Sequence, residues 1–282
     1  MRIGDIEVAR VVENEGAFSP VDFLLPGFTA ELLKEHAWLQ PEFVDRENRV
    51  MMSFHSYVVR TPRHTILIDG CVGNGKERPA RPMWHRQEGP YLDRLAAAGV
   101  RPEEIDVVFC THLHADHVGW NTRLRDGRWV PTFPNAKYLF SREENAFWGA
   151  KPHAAYVDSV LPVLEAGQAV LVEGSHAIAE RMMIDPAPGH TPGHVILKLA
   201  ERGERAVFCG DVIHHPLQVY APHWNHAACQ MADQSRATRR RVLEDCAAQG
   251  ALLFPTHFGA PHVVSIQEAA GRLSCTFRAS SA

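Results

Sequence analysis

Residues 110–120 read CTHLHADHVGW and crowd His112, His114, Asp116 and His117 into six positions. They directly follow residues 105–110 (IDVVFC), a short apolar run of the kind that forms a buried strand. Histidines at i and i+2 in an extended or turning segment can converge on one cation, and an Asp and a His next door can reach a second. Imidazole nitrogen and carboxylate oxygen are the donors that zinc and related hydrolytic metals accept. A solvated loop that happens to be rich in His is the plain alternative, and three further segments speak against it. Residues 188–194 (PGHTPGH) present His190 on a loop that Gly189 and Gly193 let turn and Pro192 stiffens. Residues 208–212 (FCGDV) put Asp211 just past a short apolar strand, and its two carboxylate oxygens can bridge two cations. Residues 254–259 (FPTHFG) put His257 after another strand. Each is weak alone. Together they set every candidate ligand at a strand end or in the loop beyond, where sites are usually built.

The elements that must hold these loops are legible as a pattern. Residues 53–59 alternate, Thr61-Pro62-Arg63-His64 turns, and residues 65–68 run on to Asp69-Gly70, which predicts a hairpin. Residues 91–99 have helical spacing with Gly99 at the C′ position, and Pro102 opens the next element. Residues 137–140 read as a strand, after which Ser141 and Glu144 have capping-box spacing. Further short strands are expected over 169–172, 182–184, 195–199 and 206–209, the best helix over 232–248, and a closing strand over 252–254. Residues 74–90, although rich in Pro and Arg, read as an ordered loop between periodic segments. Hairpins mixed with crossovers predict an α/β (α+β mixed) fold whose sheets are not purely parallel.

Composition narrows the classes. The 282 residues are 45% hydrophobic and 22% charged, as expected of a folded chain rather than a disordered one. With 29 Lys+Arg against 33 Asp+Glu the net charge is −4, which argues against a general nucleic-acid binder. The first residues, MRIGDIEVARVVENEG, lack the basic and apolar regions of a signal peptide, and no apolar stretch is long enough for a membrane span. Six cysteines without a CxxC pair read as reduced thiols, so a cytoplasmic protein is expected. The outlier is His, with 17 copies.

The order HxHxDH (His112, His114, Asp116, His117), then His190, Asp211 and His257, resembles the metallo-β-lactamase superfamily over roughly residues 53–259. The resemblance implies an αββα sandwich of two facing mixed sheets with helices outside. It implies one such domain over residues 1–282, with residues 1–50 an N-terminal extension packed on it; the apolar residues 18–33 are expected to cover a sheet. His112, His114 and His190 would hold one metal, Asp116, His117 and His257 the other, and Asp211 would bridge. The cofactors implied are two divalent cations per chain, zinc first.

Departures choose among branches. True β-lactamases of this fold generally carry Cys at the place of Asp211, and the di-iron oxidoreductases carry Glu at the place of His114. RNA-processing nucleases add arms or domains not found here. The resemblance is best to the N-acyl homoserine lactonases, other small-molecule lactonases and methyl-parathion-type organophosphate hydrolases. Glyoxalase II-like thioester hydrolases and mononuclear sulfur dioxygenases share HxHxDH. In the acyl homoserine lactonases a Tyr closely follows the bridging Asp, whereas here the segment is GDVIHHPLQVY; His214 there is read equally as a substrate donor or as structural. The mechanism implied is attack of a bridging hydroxide on a lactone or ester, with Asp116 as the catalytic proton shuttle. No Gly-x-Ser-x-Gly competes with it. Partners expected are a small-molecule substrate, no nucleic acid and no membrane, with a homodimer compatible. Trp120, Phe147, Trp148, Trp224 and Phe258 are read first as packing, and His55, His64, His85, His153, His176, His223, His226 and His262 as structural or surface. A metal-binding module without activity is disfavoured, because every ligand position is filled.

Overall fold

The structure, a computed structural model, describes residues 1–179 and 181–278. Two compact units are formed by Met1–Glu13 with Phe54–His176 and by Asn14–Ser53 with Ala177–Ala282. The chain crosses between them inside two long strands, Ile6–Pro20 and Arg49–Arg60. Two seven-stranded mixed sheets and a two-stranded ribbon make up the strands.

In the first unit the expected hairpin forms. Arg49–Arg60 pairs antiparallel with Thr65–Ile68, and Thr61 Oγ1 closes the turn by accepting from His64 N at 2.8 Å. Thr65–Ile68, Val107–Phe109, Lys137–Ser141 and Ala169–Val172 then run parallel. The central ones read VVF and KYLFS, almost continuously apolar, as strands covered on both faces require. Helix Tyr91–Ala97 buries Tyr91 and Leu95 among Val58, Val108 and Tyr138, and Gly99 follows it at φ +78. Ser141 Oγ caps helix Arg142–Ala150 by accepting from Glu144 N. The loop over residues 74–90 is ordered as expected. Asn74 bridges Gly89 N and O at 3.0 and 2.9 Å, and Arg78 grips Asp158 with two bonds of 2.7 and 2.9 Å. One hairpin, Thr122–Arg125 with Arg128–Pro131, has no counterpart in the sequence reading. Its turn is Asp126-Gly127, both at positive φ, the chemistry that a two-residue hairpin demands.

In the second unit Met182–Pro186, Val195–Glu201 and Glu204–Gly210 form an antiparallel meander. Leu252–Pro255 joins it in parallel, reached through helix Ala232–Gln249, which packs Val242, Leu243 and Cys246 onto the core. The expectation that a strand near 252–254 closes the chain is corrected: Val263–Ala269 and Arg272–Arg278 extend the sheet. Their outer ends are exposed, so polar residues dilute the alternation that marks a strand. From residues 18–33, Leu24, Leu25, Phe28 and Leu33 are buried, with Phe28 edge-on to Trp224 at 5.8 Å.

Candidate metal centre

Each unit gathers its own donors at strand ends. In the first, His112 lies just beyond Val107–Phe109, and Asp116 and His117 ride on the single turn Ala115–Val118. Asp69, at the end of the neighbouring strand Thr65–Ile68, organises them. Its carboxylate accepts from Thr111 N at 2.8 Å, Thr111 Oγ1 at 2.9 Å and His117 Nδ1 at 2.9 Å. The Thr111 proton is thereby spent, so its oxygen accepts from His112 Nδ1 at 3.1 Å. Both histidines consequently keep the proton on Nδ1 and offer the lone pair of Nε2. His112 Nε2 lies 3.0 Å from His114 Nδ1, and Asp116 Oδ2 lies 3.9 Å from His117 Nε2.

The loop has little room to shift. A Cβ on Gly119 would sit 1.7 Å from Val72 O, so only Gly lets the two backbones meet. Glu13, buried and with its pKa raised by that burial, accepts from Val72 N, Gly73 N and Trp120 Nε1. Glu144 does more than its capping position foretold, accepting from Leu113 N at 3.2 Å and Trp148 Nε1 at 2.7 Å. Trp148 in turn lies against the His114 ring at 5.4 Å.

The second unit centres on Asp211, released from Glu204–Gly210 by a register shift between Phe208 and Gly210. Asp211 N donates to His194 Nε2 at 3.1 Å. Asp211 Oδ2 faces His190 Nε2 at 3.1 Å and His214 Nε2 at 3.0 Å, and Oδ1 faces His257 Nε2 at 3.0 Å. His257 Nδ1 donates to Ser53 O at 3.0 Å, since a carbonyl only accepts. Its Nε2 therefore points a lone pair at an acceptor-only carboxylate oxygen, a pairing that needs a second proton or a cation. Burial alone would lower the pKa of His190, but the Asp211 carboxylate outweighs it and holds the ring at about 9. Its other nitrogen, Nδ1, is 3.6 Å from Cys229 Sγ.

The donor chemistry fits divalent zinc-type cations: buried imidazoles and a carboxylate, with the far ring nitrogen of His112, His117, His190 and His257 engaged elsewhere. The first unit brings together His112, His114, Asp116 and His117, and the second His190, Asp211 and His257. His214 is not idle, because it bonds to Asp211 and stacks on His226 at 4.0 Å and 7°. Burial and the neighbouring His226 hold its pKa well below the usual value. His215 is structural, its Nε2 at 3.3 Å from Phe43 O and its pKa pushed to about 4 by burial. Sequence reasoning gave no role at the site to Asp69, Glu13, His194 or Cys229, and read His226 as structural or surface. Only Asp69 left a signal, at the end of a predicted strand.

Mixed sheets whose strand ends carry His/Asp donor sets define the class: an α/β protein built around a metal site. The chain belongs to the metallo-β-lactamase superfamily, whose pattern matches residues 55–257, and its two large mixed sheets and helices match the αββα fold. Among solved structures it is similar to AidC, a dizinc quorum-quenching lactonase, with a TM-score of 0.81 and 20% identity over 100% of this chain and 97% of that one. A β-lactamase-superfamily hydrolase, AbOPH, gives a TM-score of 0.81 at 25% identity over 100% and 96%. A hydroxyacylglutathione hydrolase of Synechococcus sp. (strain JA-3-3Ab) is 32% identical over 124 residues, 44% of this chain. An N-acyl homoserine lactonase of Bacillus cereus is 26% identical over 129 residues, 45% of this chain. The chain spans only 40% and 44% of the length of these two curated relatives.

Proposed function

We propose that the protein is a metal-dependent hydrolase that opens a small-molecule lactone or ester, N-acyl homoserine lactones first. The observation that carries this reading is the buried Asp211 carboxylate, an acceptor-only group faced by the Nε2 atoms of His190 and His257 at 3.1 and 3.0 Å, with His257 Nδ1 already donating to Ser53 O. In this reading His112, His114 and His190 hold one divalent cation, Asp116, His117 and His257 a second, and Asp211 both, zinc being the cation expected. Such cations, when bound, lower the pKa of water near neutrality and polarise a carbonyl or phosphoryl oxygen. The chain's own residues do the rest. Asp69, Thr111 and Ser53 fix which imidazole nitrogen is presented. His214, kept neutral by burial, donates Nε2–H to Asp211 Oδ2 and holds that carboxylate in place. Asp116, the more exposed carboxylate, is the group placed to carry a proton between water and leaving group.

The same proposal puts the protein in the cytoplasm, a reading supported by six cysteines none of which forms a disulfide. Among the described residues no helix is long and apolar enough to cross a membrane.

The test is a steady-state comparison on zinc-replete protein with Asp211→Ala as the blank. The panel holds acyl homoserine lactones, γ- and δ-lactones, an aryl phosphotriester and a glutathione thioester. Lactones are expected to lead, with the variant dead. A thioester lead of tenfold, about 1.4 kcal/mol of transition-state preference, favours instead the second reading that the hydroxyacylglutathione hydrolase relatives support. No metal-dependent turnover on any substrate leaves a binding module and sinks the proposal.

A further inference from the structure

The far nitrogens of three other candidate ligand histidines rest on oxygen: Asp69 for His117, Thr111 for His112 and the Ser53 carbonyl for His257. His190 differs, because its Nδ1 faces the sulfur of Cys229. We propose that Cys229 is a positioning residue, its sulfur accepting from His190 Nδ1–H and so aiming Nε2 at the cation that His190 shares with Asp211. The inference rests on the metal-site reading above and adds to it a residue that no ligand motif contains.

The direction of the hydrogen bonds follows from the neighbours. Arg239 is fully buried, and a guanidinium only donates. Its Nη2 donates to Ser235 Oγ at 3.0 Å, so the Ser235 hydroxyl proton turns to the remaining partner, Cys229 Sγ, at 3.3 Å. The sulfur thus receives from Ser235 on one side and from His190 on the other. The His190 ring is spanned between this sulfur, 3.6 Å from Nδ1, and Asp211 Oδ2, 3.1 Å from Nε2.

The backbone makes this seat rigid. Gln230 N donates to His190 O at 2.9 Å, Met231 N to Gly189 O at 3.0 Å, and Thr238 Oγ1 to Pro188 O at 2.6 Å. A Cβ on Gly189, at φ +139, would lie 2.4 Å from Ser235 N and Cα. The loop bearing His190 is therefore strapped to the first turns of helix Ala232–Gln249 and the residues before it. Cys229 is the side chain of that strap which meets the ring. Outer partners of ligating histidines set ring orientation and basicity, and losing one typically weakens metal binding by about 10–100-fold.

The experiment measures zinc affinity by chelator competition, and the visible absorption of the cobalt-loaded protein, for wild type, Cys229→Ala and Cys229→Ser. Wild type is expected to take up two ions per chain. Cys229→Ala should lose about 10–100-fold in affinity for one of them and shift the cobalt bands. Cys229→Ser, which keeps an acceptor, should recover part of both effects, with the melting temperature of each metal-free variant unchanged. Should Cys229→Ala fail to fold, the serine variant against wild type carries the same comparison. Affinity within twofold of wild type and unaltered cobalt bands overturn the inference while the metal site stands. A loss that merely follows a lowered melting temperature also overturns it. A wild-type chain that takes up no metal overturns the proposed function and this inference with it.

Discussion

Asp69 shows how much of this site depends on a residue that never appears in the ligand motif. One buried carboxylate orients Thr111, and through it His112, and holds His117 directly. Removing it frees two imidazoles to rotate and to change tautomer. Asp69→Ala is therefore expected to weaken zinc binding by about 10–100-fold, read by chelator competition, with the larger effect on the ion assigned to His117. Unchanged affinity would mean that packing alone orients the ring. Cys229 and Ser53 occupy the corresponding place for His190 and His257, and His214 does so for Asp211 itself. A candidate ligand can be read from its type and spacing, but its partner is an ordinary Asp, Thr or Cys with no local signature.

Among the elements, the ribbon Thr122–Arg125 with Arg128–Pro131 is anchored by a buried amine. Lys76 Nζ donates to Thr122 Oγ1 at 2.6 Å, sits 3.6 Å from Asp158 Oδ1 and lies 3.5 Å above the centre of the Trp129 ring. Burial lowers its pKa to about 7, with Arg78 adding to the shift and Asp158 opposing it. An unfolded lysine titrates near 10.4. Between about pH 7 and that value the unfolded chain binds more protons than the folded one, so this group makes stability rise with pH, by up to about 1.4 kcal/mol per unit. Lys76→Met removes that contribution. The difference between wild-type and variant urea stabilities should thus shift in favour of wild type from pH 7 to 9.5, and a pH-independent difference would contradict the burial argument. The elements most visible in the sequence are those with a clear period or cap, such as Tyr91–Ala97 and Lys137–Ser141. The ribbon escaped notice despite its Asp126-Gly127 turn, because Arg and Thr fill half of its strand positions.

For the whole molecule, the proposed ions are ligands of the folded state, since the seven donors from His112 to His257 are scattered over more than half of the chain. A ligand present at about 1,000 times its Kd stabilises by about 4 kcal/mol, which in a chain of this size is on the order of 10 °C in melting temperature. Stripping the metal with a chelator should lower the transition by that order, and readdition of zinc should restore it. A melting curve indifferent to chelation would show that the donor clusters do not bind metal in the native protein.

The division between sequence and fold follows from the range of the interactions. Ligand identity, strand-end placement and the mixing of hairpins with crossovers are local, written in stretches of a few residues such as HLHADH, GHTPGH and CGDV. Even the capping position of Glu144 could be read this way, though not its bonds to Leu113 and Trp148. Which ring nitrogen each histidine presents, what His214 is for, and why a cysteine lies beside His190 depend on partners far along the chain. Asp69 meets His117 across 48 positions, Cys229 meets His190 across 39, and Ser53 meets His257 across 204. Such pairs leave no period and no spacing in the sequence, because it is the packing of strands and loops that brings a donor within 3 Å or so of its acceptor.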